Sequence, residues 1–242
     1  MLIRHFRIVF LGLFLAFGST ACLAQSCEPG HKFTPPDHER IVAAIAKDAA
    51  EVIRNVDFNE INRGNRANRV LEGALKAEGI SPADKQCIRE VLKAPPPSVE
   101  AIQKEEPLLS DVRARIRGAT KLEELESIIR SEAENATKNG RQAMATALAT
   151  ASQILESGKK SIYQSDFYEN ATRRFGSPDP AAIARGMALK VAQRDATGAI
   201  IGGLGGLIFG PEGALGGACV GAIRASATAA LDEFAELWLG PI

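Results

Sequence analysis

The side chains best suited to chemistry cluster near the start of the chain, in CEPGHKFTPPDHE over residues 27–39. His31 and His38 lie there beside Asp37 and Glu39, a set that could hold a metal ion or relay a proton. The spacing matches no recognised metal-ligand pattern, so the residues read as polar groups of a Pro-rich loop and no metal site is assigned. The third histidine, His5, lies in the first 24 residues, so no Ser-His-Asp triad can be built elsewhere. Glu123, Glu124, Glu126, Glu132 and Glu134 offer carboxylates, but they alternate with Lys121 and Arg130. That pattern fits a solvated helix face whose ion pairs contribute about 0.3–0.5 kcal/mol each. The stretch GGLGGLIFG lacks the Lys-Ser/Thr ending of a phosphate-cradling loop and has no strand before it. No catalytic residue and no cofactor is expected, and the chain reads as non-enzymatic.

The cysteines carry a second kind of chemistry. Residues 1–24 read as a secretory signal: Arg4 and Arg7, an apolar core from Ile8 to Phe17, and cleavage after Ala24. An uncleaved anchor is the alternative, but the core is short against the roughly 20 residues that span a bilayer. Cys22 in Ser19-Thr20-Ala21-Cys22 partly fits a lipoprotein signal, although Ser19 stands where that motif prefers Leu. The exported chain then keeps Cys27, Cys87 and Cys219. In an oxidising periplasmic or extracellular compartment, Cys27 and Cys87 are the expected disulfide, both lying in the polar N-terminal half. Cys219, among Gly and Ala, is expected to be a small buried apolar residue. Asn135-Ala136-Thr137 and Asn170-Ala171-Thr172 match a glycosylation acceptor, which matters only in a eukaryotic secretory pathway.

Loss of Arg4 and Arg7 from 29 basic residues leaves 27 against 29 acidic ones, a formal charge of −2. So balanced a surface, with only 5% aromatic residues to stack on bases, argues against nucleic-acid binding.

The elements that position these groups all read as helices, and the class is all-α. Residues 38–56 place Ile41, Val42, Ile45, Ala49, Val52, Ile53 and Val56 on one stripe, with Asp37 as the expected N-cap. Residues 66–78 form a shorter helix stopped by Gly79, and Ser81-Pro82-Ala83-Asp84 opens the next. Ala94-Pro95-Pro96-Pro97 is the clearest internal boundary. Beyond it the pattern predicts a brief helix from Ser98 to Glu105, another from Leu108 to Arg117, and a charged one over 121–137. Asn139-Gly140 marks a turn, 141–174 runs helical with a break near Gly158, and 181–194 restarts after Pro180. The organisation expected is a signal over 1–24, a disulfide-tied three-helix unit over 25–93, a Pro-rich linker over 94–107, long helices over 108–194, and a glycine-rich hairpin with an amphipathic tail over 195–242.

Residues 198–221 hold ten glycines among almost wholly apolar neighbours. Gly198, Gly202, Gly206 and Gly210, then Gly213, Gly217 and Gly221, fall at near four-residue spacing, which stacks them on one helix face. Each Gly costs a helix about 1 kcal/mol relative to Ala, so a close backbone contact must compensate. Pro211 and Glu212 would sit near the centre of a single membrane span, which favours a hairpin of two short arms, Gly198–Phe209 and Gly213–Ile223. Such a hairpin either inserts in a membrane or packs Gly on Gly inside a soluble fold. Its Ile, Leu and Phe content argues against a flexible linker. The tail over 225–239 carries Trp238, an anchor for a membrane interface or a cap on a core.

Asp195-Ala196-Thr197-Gly198-Ala199, followed by glycines every four residues, resembles the C-terminal stretch of exported bacterial glycine-zipper, bacteriocin-like proteins. The resemblance is concentrated in 195–221. It implies a membrane-directed or self-associating protein without enzymatic activity, acting through the glycine hairpin. The long disulfide-bearing N-terminal half departs from that pattern and argues against a simple peptide toxin. The alternative to the membrane or self-association role is a soluble periplasmic binding or inhibitor module of the immunity type, with the hairpin in its core and the disulfide unit as its binding face.

Overall fold

The computed structural model describes residues 27–57, 60–62, 64–174 and 179–239. The expected signal, Cys22 and the side chain of Trp238 lie outside the described residues. The fold is all-α, with no strand among the described residues.

Helix α1 spans Pro35–Lys47 and begins before the position that the apolar stripe suggested. Thr34, not Asp37, is its cap residue. Pro35 and Pro36 have φ preset for a first turn and need no backbone N–H there. Asp37 instead accepts hydrogen bonds from the Thr34 amide at 3.0 Å and the Thr34 hydroxyl at 2.7 Å. The stripe over 38–56 is not one helix. It bends at Asp48, and Ala49–Arg54 form a separate α2. The bend lets α2 pack on α3, Arg66–Lys76, while α1 packs on later helices. Helix α4, Pro82–Lys93, is capped by the Ser81 side chain accepting from the Asp84 amide. The Cys27–Cys87 disulfide ties the first described residue to this helix.

Helix α5 runs unbroken from Val99 to Gly118 through Pro107, where two helices were expected. Pro107 removes the donor for the carbonyl of Gln103, and both residues lie on the exposed face, where the lost bond faces solvent. Helix α6, Leu122–Lys138, and α7, Gln142–Gly158, form an antiparallel pair around Gly140, whose φ of +68° only glycine adopts freely. Helix α8 covers Ser165–Arg174.

Helices α9, Pro180–Gly206, and α10, Gly210–Leu239, are joined by one 3₁₀ turn, Leu207–Phe209. The short arms read from the glycines are therefore the distal ends of helices about 40 and 45 Å long at 1.5 Å per residue. The expected restart over 181–194 and the tail over 225–239 are their continuations. Pro211 and Glu212 fall in the first turn of α10, where proline needs no donor and a carboxylate complements the helix dipole. Helix α9 is central, packed against α5, α7, α8 and α10, and one continuous apolar core links Cys27 to Ala229.

Candidate functional site

Three features of this fold carry polar chemistry or exposed recognition surface: the seam between α9 and α10, a buried polar knot at its base, and a groove along its outer side. Across the seam a Cβ on Gly198 would overlap the carbonyl of Gly221, one on Gly202 that of Gly217, and one on Gly206 that of Gly213. The reverse substitutions at Gly213, Gly217 and Gly221 meet the carbonyls of Gly206, Gly202 and Gly198. The backbones touch where side chains would ordinarily hold helices 8–10 Å apart. Gly210 does not belong to this face. It sits at the turn with a φ of +83° and nothing near its missing side chain. Other glycines of the run serve other neighbours: Gly205 lies against Pro97, and Gly203 against Thr150 and Ala147 of α7.

At the base of the seam, Asp195 is fully buried. Tyr163, in the loop after α7, donates its hydroxyl to Oδ2 at 2.8 Å. His38 Nε2 on α1 stands 3.2 Å from the same oxygen, and the Ser226 hydroxyl on α10 donates to Oδ1. Burial holds the Asp195 carboxyl above the usual carboxylate range, while His38 and Tyr163 pull it back. Burial, then the charge of Asp195, pushes the Tyr163 phenol well above its ordinary value. These are catalytic residue types in a non-catalytic arrangement. A serine nucleophile must donate to a histidine base, whereas here Ser226 donates to the carboxylate, which is the hub. His38 and Asp195 also have no exposed surface, so no substrate reaches them. The knot fastens α1, the α7–α8 loop, α9 and α10 together.

His31, the other histidine of the opening loop, pairs with Asp37 at 3.0 Å. With Cys27 these two bring three ligand-type atoms within 4.8 Å of one another. The Cys27 sulfur is already bonded to Cys87, which leaves only two donors, too few to hold a metal ion. Cys219 is buried and free, its thiol pushed up to about 12 by burial and then by the charge of Asp37.

The groove has a volume of about 880 Å³. It is lined by the loop 30–33, the segment 94–98 and the edge of the α9–α10 seam, where the paired glycines are joined by Ile201, Gly205, Gly216 and Val220. Ile208 and Phe209 at the turn border it and are 63% and 70% exposed. Lys32 and Glu212 pair across its outer edge. Arg224 stands in its wall, where Nη2 donates to the carbonyls of Val91 at 3.0 Å and Ala94 at 2.9 Å, at the C-terminal end of α4. Burial lowers the pKa of Arg224, its Nε has no partner, and no carboxylate pairs with it among the described residues.

Sequence reasoning named the glycines and the disulfide but missed the knot and the groove. Asp195 entered only through a local pattern and as a flanking charge, as did Arg224, and His38 only as a loop histidine. The segment Pro180–Ala229 is apolar and long enough, by length and composition, to cross a membrane. No protein family, curated protein or solved structure matches this chain.

Proposed function

We propose that this chain is an exported, non-enzymatic helical binding module whose glycine hairpin is structural and whose working face is the groove beside it. One observation carries the reading: the glycine faces of α9 and α10 are occupied by each other, pair by pair. A second helix cannot enter between the two faces without separating them, although the same glycines border the groove along one edge of the seam. What stays open is one edge of the seam, an apolar groove of a size typical for ligand sites, about 300–1,000 Å³. The groove also borders α4, so the disulfide-tied unit contributes to the same face.

A second reading, membrane insertion as the bacteriocin-like resemblance implies, rests on Ile208 and Phe209. Two large apolar side chains exposed side by side at a helical turn are suited to entering a lipid surface. Flotation with phosphatidylcholine–phosphatidylglycerol vesicles separates the two. The binding module stays at the bottom of the gradient. Wild type that floats, with an Ile208→Ser/Phe209→Ser variant that does not, replaces that reading with the membrane one.

A further inference from the structure

The groove is apolar along its length but holds one charge that nothing neutralises among the described residues. Lys32 pairs with Glu212, Lys93 with Glu90, and His31 with Asp37. That leaves the Arg224 guanidinium, half-buried and held at one edge by two neutral carbonyls, with no carboxylate paired to it among the described residues. A cation drawn into an apolar wall keeps an unmet demand for an anion, and a guanidinium meets a carboxylate best. The rest of the lining points to the other end of the ligand. Helical glycines at 216 and 217 have their backbone groups engaged in the helix and offer no polar atoms. They give a smooth surface suited to a chain that needs no hydrogen bonds. From Gly210 at the turn to Arg224 is about 21 Å along α10 at 1.5 Å per residue.

We infer that the groove binds a single-chain monoanionic amphiphile of the fatty-acid class, its carboxylate on Arg224 and its alkyl chain along the glycine surface toward Phe209. This rests on the binding-module reading and specifies its ligand. The net charge of the lining, one uncompensated cation, matches one acid head, and the exposed turn residues cover the tail end.

The test is displacement of 11-(dansylamino)undecanoate, held below micellar concentration, from the intact disulfide-bonded protein. Dodecanoate displaces the probe from one site per chain, decanoate does so roughly ten-fold more weakly because two methylenes are lost, and dodecyltrimethylammonium does not compete. Arg224→Gln weakens dodecanoate at least ten-fold. Gly216→Leu blocks the groove: a Cβ there meets nothing within 4 Å, so the fold accepts it while the larger side chain fills the site. If Arg224→Gln fails to fold, Gly216→Leu decides alone. Equal competition by the cationic amphiphile, or unaltered probe binding by a folded Gly216→Leu, overturns the proposal. No uptake of the probe by a protein that also stays off vesicles removes the ligand class and leaves the binding module standing. Flotation of the wild type removes the binding module itself.

Discussion

Asp195 of α9 and His38 of α1 stand 3.2 Å apart at a point where neither side chain has any solvent contact. The pair costs desolvation to assemble, and once assembled the loss of Asp195 strands His38, Tyr163 and Ser226 together. Asp195→Ala is therefore expected to lower stability by about 3–5 kcal/mol. Adding His38→Ala to that variant should cost much less than His38→Ala alone. Urea unfolding of the four proteins measures the coupling, and simple additivity would dissolve the knot as a unit.

Stability should respond to pH through two aspartates with opposite signs. The raised Asp195 carboxyl binds its proton more tightly folded than unfolded. Its contribution is present below the ordinary value of 3.8 and is lost as pH rises through the higher folded value. At Asp37 burial acts upward, but the hydrogen bonds from Thr34 and His31 outweigh it and the net shift is downward. That contribution is present above 3.8 and is lost as pH falls through the lower folded value. Measured by urea unfolding between about pH 3 and pH 7, Asp195→Asn gains on the wild type as pH rises. Asp37→Asn closes its deficit as pH falls. The same slope for both would refute the assignment.

Glycines of α9 and α10 should tolerate alanine very differently. Gly202→Ala places a methyl group on the Gly217 carbonyl and is expected to cost about 1–3 kcal/mol. Gly186→Ala and Gly216→Ala meet open space within helices and are expected to add about 0.5–1 kcal/mol. Thermal melts rank the three, and a stable Gly202→Ala would mean that the seam is not closed.

The cysteines divide the same way. Cys27→Ser/Cys87→Ser opens a 60-residue separation and is expected to lower stability by roughly 4 kcal/mol. A chain beginning at Gln25, unfolded without reductant, should titrate one thiol, Cys219. In the native protein that thiol should react far more slowly, since burial removes both access and thiolate. Three titratable thiols would exclude the disulfide.

The helices were legible wherever a local signal marked them. Ser81, Asn139-Gly140 and Pro180 each act through their own backbone, so their neighbours suffice to read them. Pro107 misled because its effect depends on which face it occupies, and that is decided by the packing of α5. Asp48 likewise bends a stripe that is continuous in sequence. The glycine spacing revealed that a backbone must approach, and not that Gly203, Gly205 and Gly210 answer to α7, Pro97 and the turn. The knot had no local signature at all: His38, Tyr163, Asp195 and Ser226 come from four elements, and only the folded chain gives them a shared environment. Arg224 was visible as a charge, but the apolar groove around it is assembled from both ends of the protein.

Pairing Gly198 with Gly221, Gly202 with Gly217 and Gly206 with Gly213 also fixes how the segment can vary in length. One residue inserted or deleted between Gly198 and Gly206, or between Gly213 and Gly221, rotates later positions by about 100° on a helix of 3.6 residues per turn. Side chains would then arrive where bare backbone is required. The ladder is a ruler as much as a surface: inside each arm it counts residues as strictly as it selects them.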